Sequence, residues 1–204
     1  MKNLIRMLTV VMLTGTIFAA SPAMAQNKGK TNALKKTVNA QKGLSKGAKT
    51  FTINTLLPIT MNNVFIKSTA EQNAKGITLA AIQKDDDAWK AAEEELPIQK
   101  EKLNNACAQE MKRVVAKNPT IIEAFVMDNQ GAVVCENALT SDYWQGDEAK
   151  WTNSFNGGKG GIDVGDVEFD KSANAKLQQI SLPIFDKSGK AIGAITFGVN
   201  VTSM

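Results

Sequence analysis

The chain holds 204 residues, with 24 Lys and Arg against 20 Asp and Glu, two cysteines and no histidine. Without an imidazole there is no Ser-His or Cys-His nucleophile, no histidine general base and none of the commonest zinc ligand. Catalysis would have to run on carboxylates, lysine or tyrosine, and no catalytic residue, metal ligand or cofactor is expected.

The chain opens MKNLIRMLTVVMLTGTIFAASPAMAQ. Lys2 and Arg6 precede a mainly apolar run from Met7 to Ala20, and Ala23-Met24-Ala25 is an A-x-A cleavage signature. This is the order of a secretory signal peptide, cut after Ala25. A membrane anchor is the alternative, but threonines interrupt the run and it falls short of the roughly 20 apolar residues of a span. The expected location is therefore periplasmic or secreted. Dropping Lys2 and Arg6 leaves 22 basic against 20 acidic residues, so +2.

Residues 26–50 hold seven lysines and no acid. The segment shows no arginine, aromatic or clear apolar face, so it reads as a flexible, solvated leader rather than a nucleic-acid-binding arm. Residues 51–118 read as a helical lead-in rich in Ala, Glu, Lys, Gln and Leu. Asp85-Asp86-Asp87 stands ahead of AWKAAEEEL, where negative charge suits a helix start. Pro97 marks a break. Leu103, Cys107, Met111 and Val114 then recur at helical spacing towards a core, and Asn118-Pro119 ends that helix. In an oxidising compartment an even cysteine count points to one disulfide, Cys107–Cys135, with two buried thiols as the alternative.

From Thr120 the pattern changes to strand and turn. TIIEAFVMD and AVVCEN flank an Asn129-Gln130-Gly131 turn and predict a hairpin. SDYWQGDEAKWTNSF predicts one or two short helical turns, with Asp147 and Glu148 in a first turn. FNGGKGG has neither the GK[ST] ending nor the strand and helix of a phosphate loop. IDVGDVEFD alternates but changes phase near Gly165, as a bulge requires. KLQQISLPIFD and AIGAITFGVNV form a second hairpin turning at Gly189. The order predicts an α+β fold: a PAS-like five-stranded antiparallel sheet over residues 119–204, preceded by a long helical region. One sheet face would lie under the helices, and the other would enclose a cavity beneath the crossover.

EAFVMDNQGAVV, TSDYWQGDEAKW, GDVEFDKS and ISLPIFDKSGKAIGAITFGV, in this order, resemble the Cache (PDC) sensor domains, the extracytoplasmic PAS-like domains of bacterial receptors. The likeness covers residues 119–201. VFIKSTAEQNAKGITLAAIQKDDDAWK also resembles the helical lead-in of a small exported, free-standing subgroup. What the resemblance implies is reversible binding of a small solute between the sheet and the 137–170 segment. Many relatives carry tyrosine where this chain has Phe169, which removes a hydroxyl from the implied pocket. The solute would be an amine, amino acid or carboxylate, and the partner a separate transmembrane receptor; a homodimer through the long helices is a further expectation.

Within that frame Tyr143, Trp144 and Trp151 are expected as rigid walls able to hold a cation by cation–π attraction. Asp147 and Asp170 would accept hydrogen bonds from the solute, and Gln145 and Ser172 would add neutral groups. A different reading applies if the helix is continuous: Trp144, Glu148, Trp151 and Phe155 then share one stripe and serve the core. Asp166, Glu168 and Asp170 align along a strand without encircling a cation, so they read as a solvated acidic edge. Two other functions compete with solute sensing. One is a carboxylate hydrolase using Asp147 or Glu148 with Asp170. The other is an envelope protein contacting a partner through the lysine-rich arm or the long helix.

Overall fold

Four of the helices ahead of the sheet begin at a small polar side chain that takes an orphan amide, as helix N-termini require. Ser45 accepts from Ala48 N–H and Asn62 from Val64 N–H, while Thr78 and Asn105 accept from Ala81 and Ala108. The computed structural model describes residues 22–170 and 175–204. The expected signal peptide thus lies almost wholly outside the described residues, as does Ser172. The helices are α1 Pro22–Ala40, α2 Lys46–Phe51, α3 Leu57–Thr60, α4 Asn63–Ala74, α5 Leu79–Lys90, α6 Pro97–Asn104 and α7 Ala106–Lys117. A π-helical turn at Thr52–Leu56 joins α2 to α3. Among the described residues no helix is long and apolar enough to cross a membrane.

The strands are β1 Ile121–Met127, β2 Val133–Glu136, β3 Asp163–Asp170, β4 Ala175–Phe185 and β5 Ala191–Asn200, with α8 Ala149–Phe155 in the crossover. They form one antiparallel sheet in the order β2-β1-β5-β4-β3, the expected PAS-like plan. The β3–β4 register shifts between Val164 and Val167, so the bulge falls at Gly165 as the phase change predicts. Gly189 closes the β4–β5 turn with φ +77°, in the left-handed region that favours glycine. Cys107 of α7 and Cys135 of β2 are bridged, with their Cα atoms 5.7 Å apart.

One face of the sheet presents Val126, Ile180, Leu182, Ile184, Ile195, Phe197 and Val199 to the helices. Leu34, Val38, Leu44 and Ala48 are buried in this same core, which corrects the expectation of a flexible leader at 26–50. Their apolar face escapes a simple reading because the break at residues 41–45 resets the helical phase between the pairs Leu34/Val38 and Leu44/Ala48. Two further expectations are corrected. Asp85–Asp87 sit in the second half of α5, whose N-cap is Thr78. The break at Pro97 stands: residues 91–96 are non-helical, Pro97 opens α6 from the first turn, where its missing N–H costs nothing, and Gln99 Oε1 returns to accept Leu96 N–H at 2.8 Å. Asn105 then divides the expected single helix, leaving Cys107 and Met111 buried on α7.

Candidate functional site

Away from the helices the sheet builds three rungs, because alternate residues of each strand share a face. The first is Glu123–Gly198–Gln179, the second Phe125–Thr196–Ser181 and the third Met127–Ala194–Pro183, across β1, β5 and β4. Gln179 Nε2 donates to Glu123 Oε1 at 2.9 Å above Gly198. Only glycine permits this: a Cβ at residue 198 would stand 2.3 Å from Glu123 Cγ. On the second rung the fully buried Ser181 and Thr196 hydroxyls bond each other at 2.8 Å.

Helix α8 packs over β3, β4 and β5 on this side. Trp151 rests on Phe125, Met127 and Ala194, donates its indole N–H to Asp128 O at 2.9 Å, and stacks on Phe155 with ring centroids 5.0 Å apart. Lys150 Nζ lies 5.7 Å above the Phe125 ring and pairs with Glu148 at 2.9 Å. These contacts roof the second and third rungs. At the first rung there is a groove of about 370 Å³, floored by Glu123, Leu177 and Gln179 and walled by Asp166, Glu168 and Phe169 of the edge strand. That volume suits a small solute.

The loop leading into α8 is held from outside the sheet. Asp86 of α5 is buried, and its Oδ1 accepts the Tyr143 and Trp144 backbone N–H groups at 2.9 Å each. Its Oδ2 takes Lys90 Nζ at 2.6 Å, and this hydrogen bond raises the Lys90 pKa above the ordinary lysine value. Tyr143 stacks on Trp89 at 5.6 Å within a buried cluster with Ile82, Ala132 and Val133, and this burial raises its phenol pKa. Trp144 bridges to Ala132 and donates its indole N–H to Gln130 O at 2.8 Å. Gln145 is 1% exposed and its Nε2 donates to Asp142 O and Oδ1. A Cβ on Gly131 would stand 2.4 Å from Gly146 Cα, so the 128–131 turn and this loop abut backbone to backbone.

The residues selected from sequence thus fall into separate places. Tyr143, Trp144 and Gln145 anchor the loop to α5 and to the first hairpin turn, Trp151 roofs the sheet, and Phe169 walls the groove. The aromatic stripe through Trp144 does not form, because α8 starts only at Ala149; Trp151 and Phe155 do share its face. Asp147 is exposed just ahead of α8. Asp170 ends β3 opposite Ala175, and its side chain lies outside the described set. Sequence reading misses Asp86, Glu123 and Gln179. Each carries a signal: Asp86 stands with Ile82 and Trp89 at helical spacing, and Glu123 and Gln179 are polar residues within apolar strands. Among the described residues no group of three or more Cys, Asp and Glu side chains is placed to hold a metal.

No family model matches the chain, and no curated protein does. Solved structures similar to it include the sensor domain of the V. cholerae histidine kinase DctB, at 9% identity and TM-score 0.44, over 88% of this chain and 56% of that one. The ligand-binding domain of the Campylobacter jejuni chemoreceptor Tlp3, in complex with 4-methylisoleucine, aligns at 14% identity and TM-score 0.39 over 89% of this chain and 61% of that one. The ligand-binding domain of Mlp24 with asparagine aligns at 14% identity and TM-score 0.33, over 90% of this chain and 62% of that one. The chain therefore spans less than two thirds of the length of each of these structures.

Proposed function

We propose that this chain is an exported, extracytoplasmic Cache-type sensor module that reversibly binds a small solute between its sheet and the 137–170 segment and reports to a separate membrane receptor. The observation that carries this reading is the groove at the unroofed first rung, beside a roof of α8 on the same sheet face. Its lining narrows the solute class. Glu123, Asp166 and Glu168 supply carboxylates, Gln179 an amide, and Phe169 and Leu177 an apolar wall. Charge complementarity then favours an ammonium-bearing solute, an amine or amino acid, over a simple carboxylate. Asp170 and Ser172 follow next in the sequence and are further contributors in this reading. Tyr143, Trp144 and Gln145 act by positioning the crossover rather than by touching the solute, and Asp147 supports the start of α8.

Thermal-shift screening against amines, amino acids and dicarboxylates tests the proposal. A solute at 100 times its Kd stabilises by about 2.7 kcal/mol. Ammonium-bearing solutes should raise the Tm, and Glu123→Gln should reduce that rise. Stabilisation by dicarboxylates alone would overturn the groove assignment, and the absence of any stabilising solute would overturn the sensor reading.

A further inference from the structure

No acidic residue precedes Glu71. Residues 26–70 hold eight lysines and no acid, so this stretch carries +8. Residues 71–204 hold all 20 acidic residues against 14 basic ones, so the remainder carries −6. The fold turns this separation along the chain into a surface. Leu34 and Val38 of α1 are buried in the main core, as are Leu44 and Ala48 around the start of α2. Four-residue spacing puts each pair on one helical face. With these side chains fixed inward, Lys35 and Lys36 of α1, Lys42 of the link and Lys46 of α2 stand exposed. Among the described residues none of these four pairs with an acid, whereas Lys67, Lys90, Lys102 and Lys150 each do.

Beside α1 lies an apolar groove of about 210 Å³, whose lining includes Leu34, Leu57, Met61, Ile66, Phe185 and Lys187. Met61 follows the end of α3, is 51% exposed, and its sulfur lies 3.9 Å from Thr31 Oγ1 of α1. Cations flank the groove. Lys187 is exposed, and Lys30 Nζ stands 5.6 Å over the Phe185 ring and donates to Lys159 O at 3.2 Å. The one acid of the lining, Asp186, is turned into its own loop, where Oδ1 accepts from the Ser188 N–H, the Ser188 hydroxyl and the Lys190 N–H.

We infer that α1 and this groove form a docking surface for an anionic lipid bilayer, with the lysines against phosphate headgroups and Met61 at the acyl boundary. Lysine charge beside exposed apolar side chains is the combination that adhesion to a lipid interface uses. A soluble polyanion would engage the lysines and leave the groove idle. Because α1 and α2 are already packed helices, docking needs no folding step. The surface also has a border. Gln178 Nε2 donates to Gly43 O at 2.9 Å and to Gly165 O at 3.0 Å, so the acidic stretch of β3 begins beside residue 43. Repulsion between those carboxylates and the headgroups leaves α1, rather than the 41–45 link, as the contact.

Docking of this kind does not depend on solute binding, and no solute enters its test. The chain recovered after export, its N-terminus read by mass spectrometry, is sedimented with vesicles of phosphatidylcholine alone or of equal parts phosphatidylcholine and phosphatidylglycerol. Binding is expected to the anionic vesicles only, and should vanish in about 1 M salt, where the screening length falls to about 3 Å. Each lysine near an anionic surface is worth about fivefold in affinity. Lys35→Gln, Lys36→Gln and Lys187→Gln together should therefore weaken binding about a hundredfold, with an unchanged circular dichroism spectrum. Met61→Gln should weaken vesicle binding severalfold and leave binding to soluble heparin as it was. Failure to bind anionic vesicles, equal binding to neutral ones, or wild-type binding by either variant overturns the proposal. So does adhesion that persists in high salt, which a retained apolar leader would give. Should the triple variant not fold, the wild-type dependence on lipid charge and salt decides alone.

Discussion

Asp86 and Tyr143 lie 57 positions apart in sequence and are joined by a 2.9 Å bond from the Tyr143 amide to a buried carboxylate oxygen. The same oxygen takes the Trp144 amide, so one helical side chain fixes the entry of the crossover loop. Hydrogen bonds to charged groups contribute about 1.5–3 kcal/mol each. Asp86→Ala should therefore cost about 3 kcal/mol in urea unfolding, and Asp86→Asn, which keeps an acceptor, about 1 kcal/mol. A loss below about 0.5 kcal/mol for the alanine variant would place it among ordinary surface changes and remove the anchor from the account.

The disulfide closes a loop with a sequence separation of 28. In the chain-entropy model a loop of that size stabilises the fold by about 3–4 kcal/mol. Reduction, or the double change Cys107→Ala with Cys135→Ala, should lower the denaturant midpoint accordingly. Equal midpoints with and without reductant would contradict it.

Gly198→Ala tests the groove floor. The added methyl meets Glu123 Cγ at 2.3 Å, but Glu123 is a flexible side chain that can swing aside. The expected stability loss is small, about 1 kcal/mol. The Glu123–Gln179 bond should break, and stabilisation by an ammonium-bearing solute should fall at least as much as in Glu123→Gln. Thermal shifts with and without solute separate the two effects.

Global stability should depend on pH through Glu136. Its carboxyl moves from an ordinary 4.5 to about 7 on folding, so the folded chain holds the proton more tightly. The contribution is complete below about pH 4.5 and is lost as pH rises through about 7, amounting to about 3 kcal/mol. Urea titrations across that window should show the fall in the wild type and a flatter profile in Glu136→Gln.

The sheet is legible in the sequence because period-two alternation and turn residues are local signals. The hairpin turns at Gly131 and Gly189 and the bulge at Gly165 fall where those signals put them. The helices are legible in kind but not in extent, since a capping side chain or a first-turn proline sets each boundary, as at Thr78, Pro97 and Asn105. The aromatic-rich stretch is harder to read. Ring density marks Tyr143, Trp144 and Trp151 equally well as pocket walls or as scaffold. What assigns them is the placement of distant acceptors, Asp86, Gln130 O and Asp128 O, that no spacing rule connects to them. Glu123 and Gln179 meet only because β1 and β4 flank β5, a non-local pairing invisible in either segment alone.

The shared core of the first helices and β5 has a kinetic consequence. Leu34, Val38, Leu44 and Ala48 find their cover in one cluster with Phe197 and Val199, and Gly47 closes against Met204. Contacts between opposite ends of a chain form late and slow the search for the native state. During synthesis the leading helices cannot complete that cluster until β5 has left the ribosome. A chain stalled before Ala191 therefore cannot settle, and should be threaded, held by chaperones or degraded more readily than one released whole.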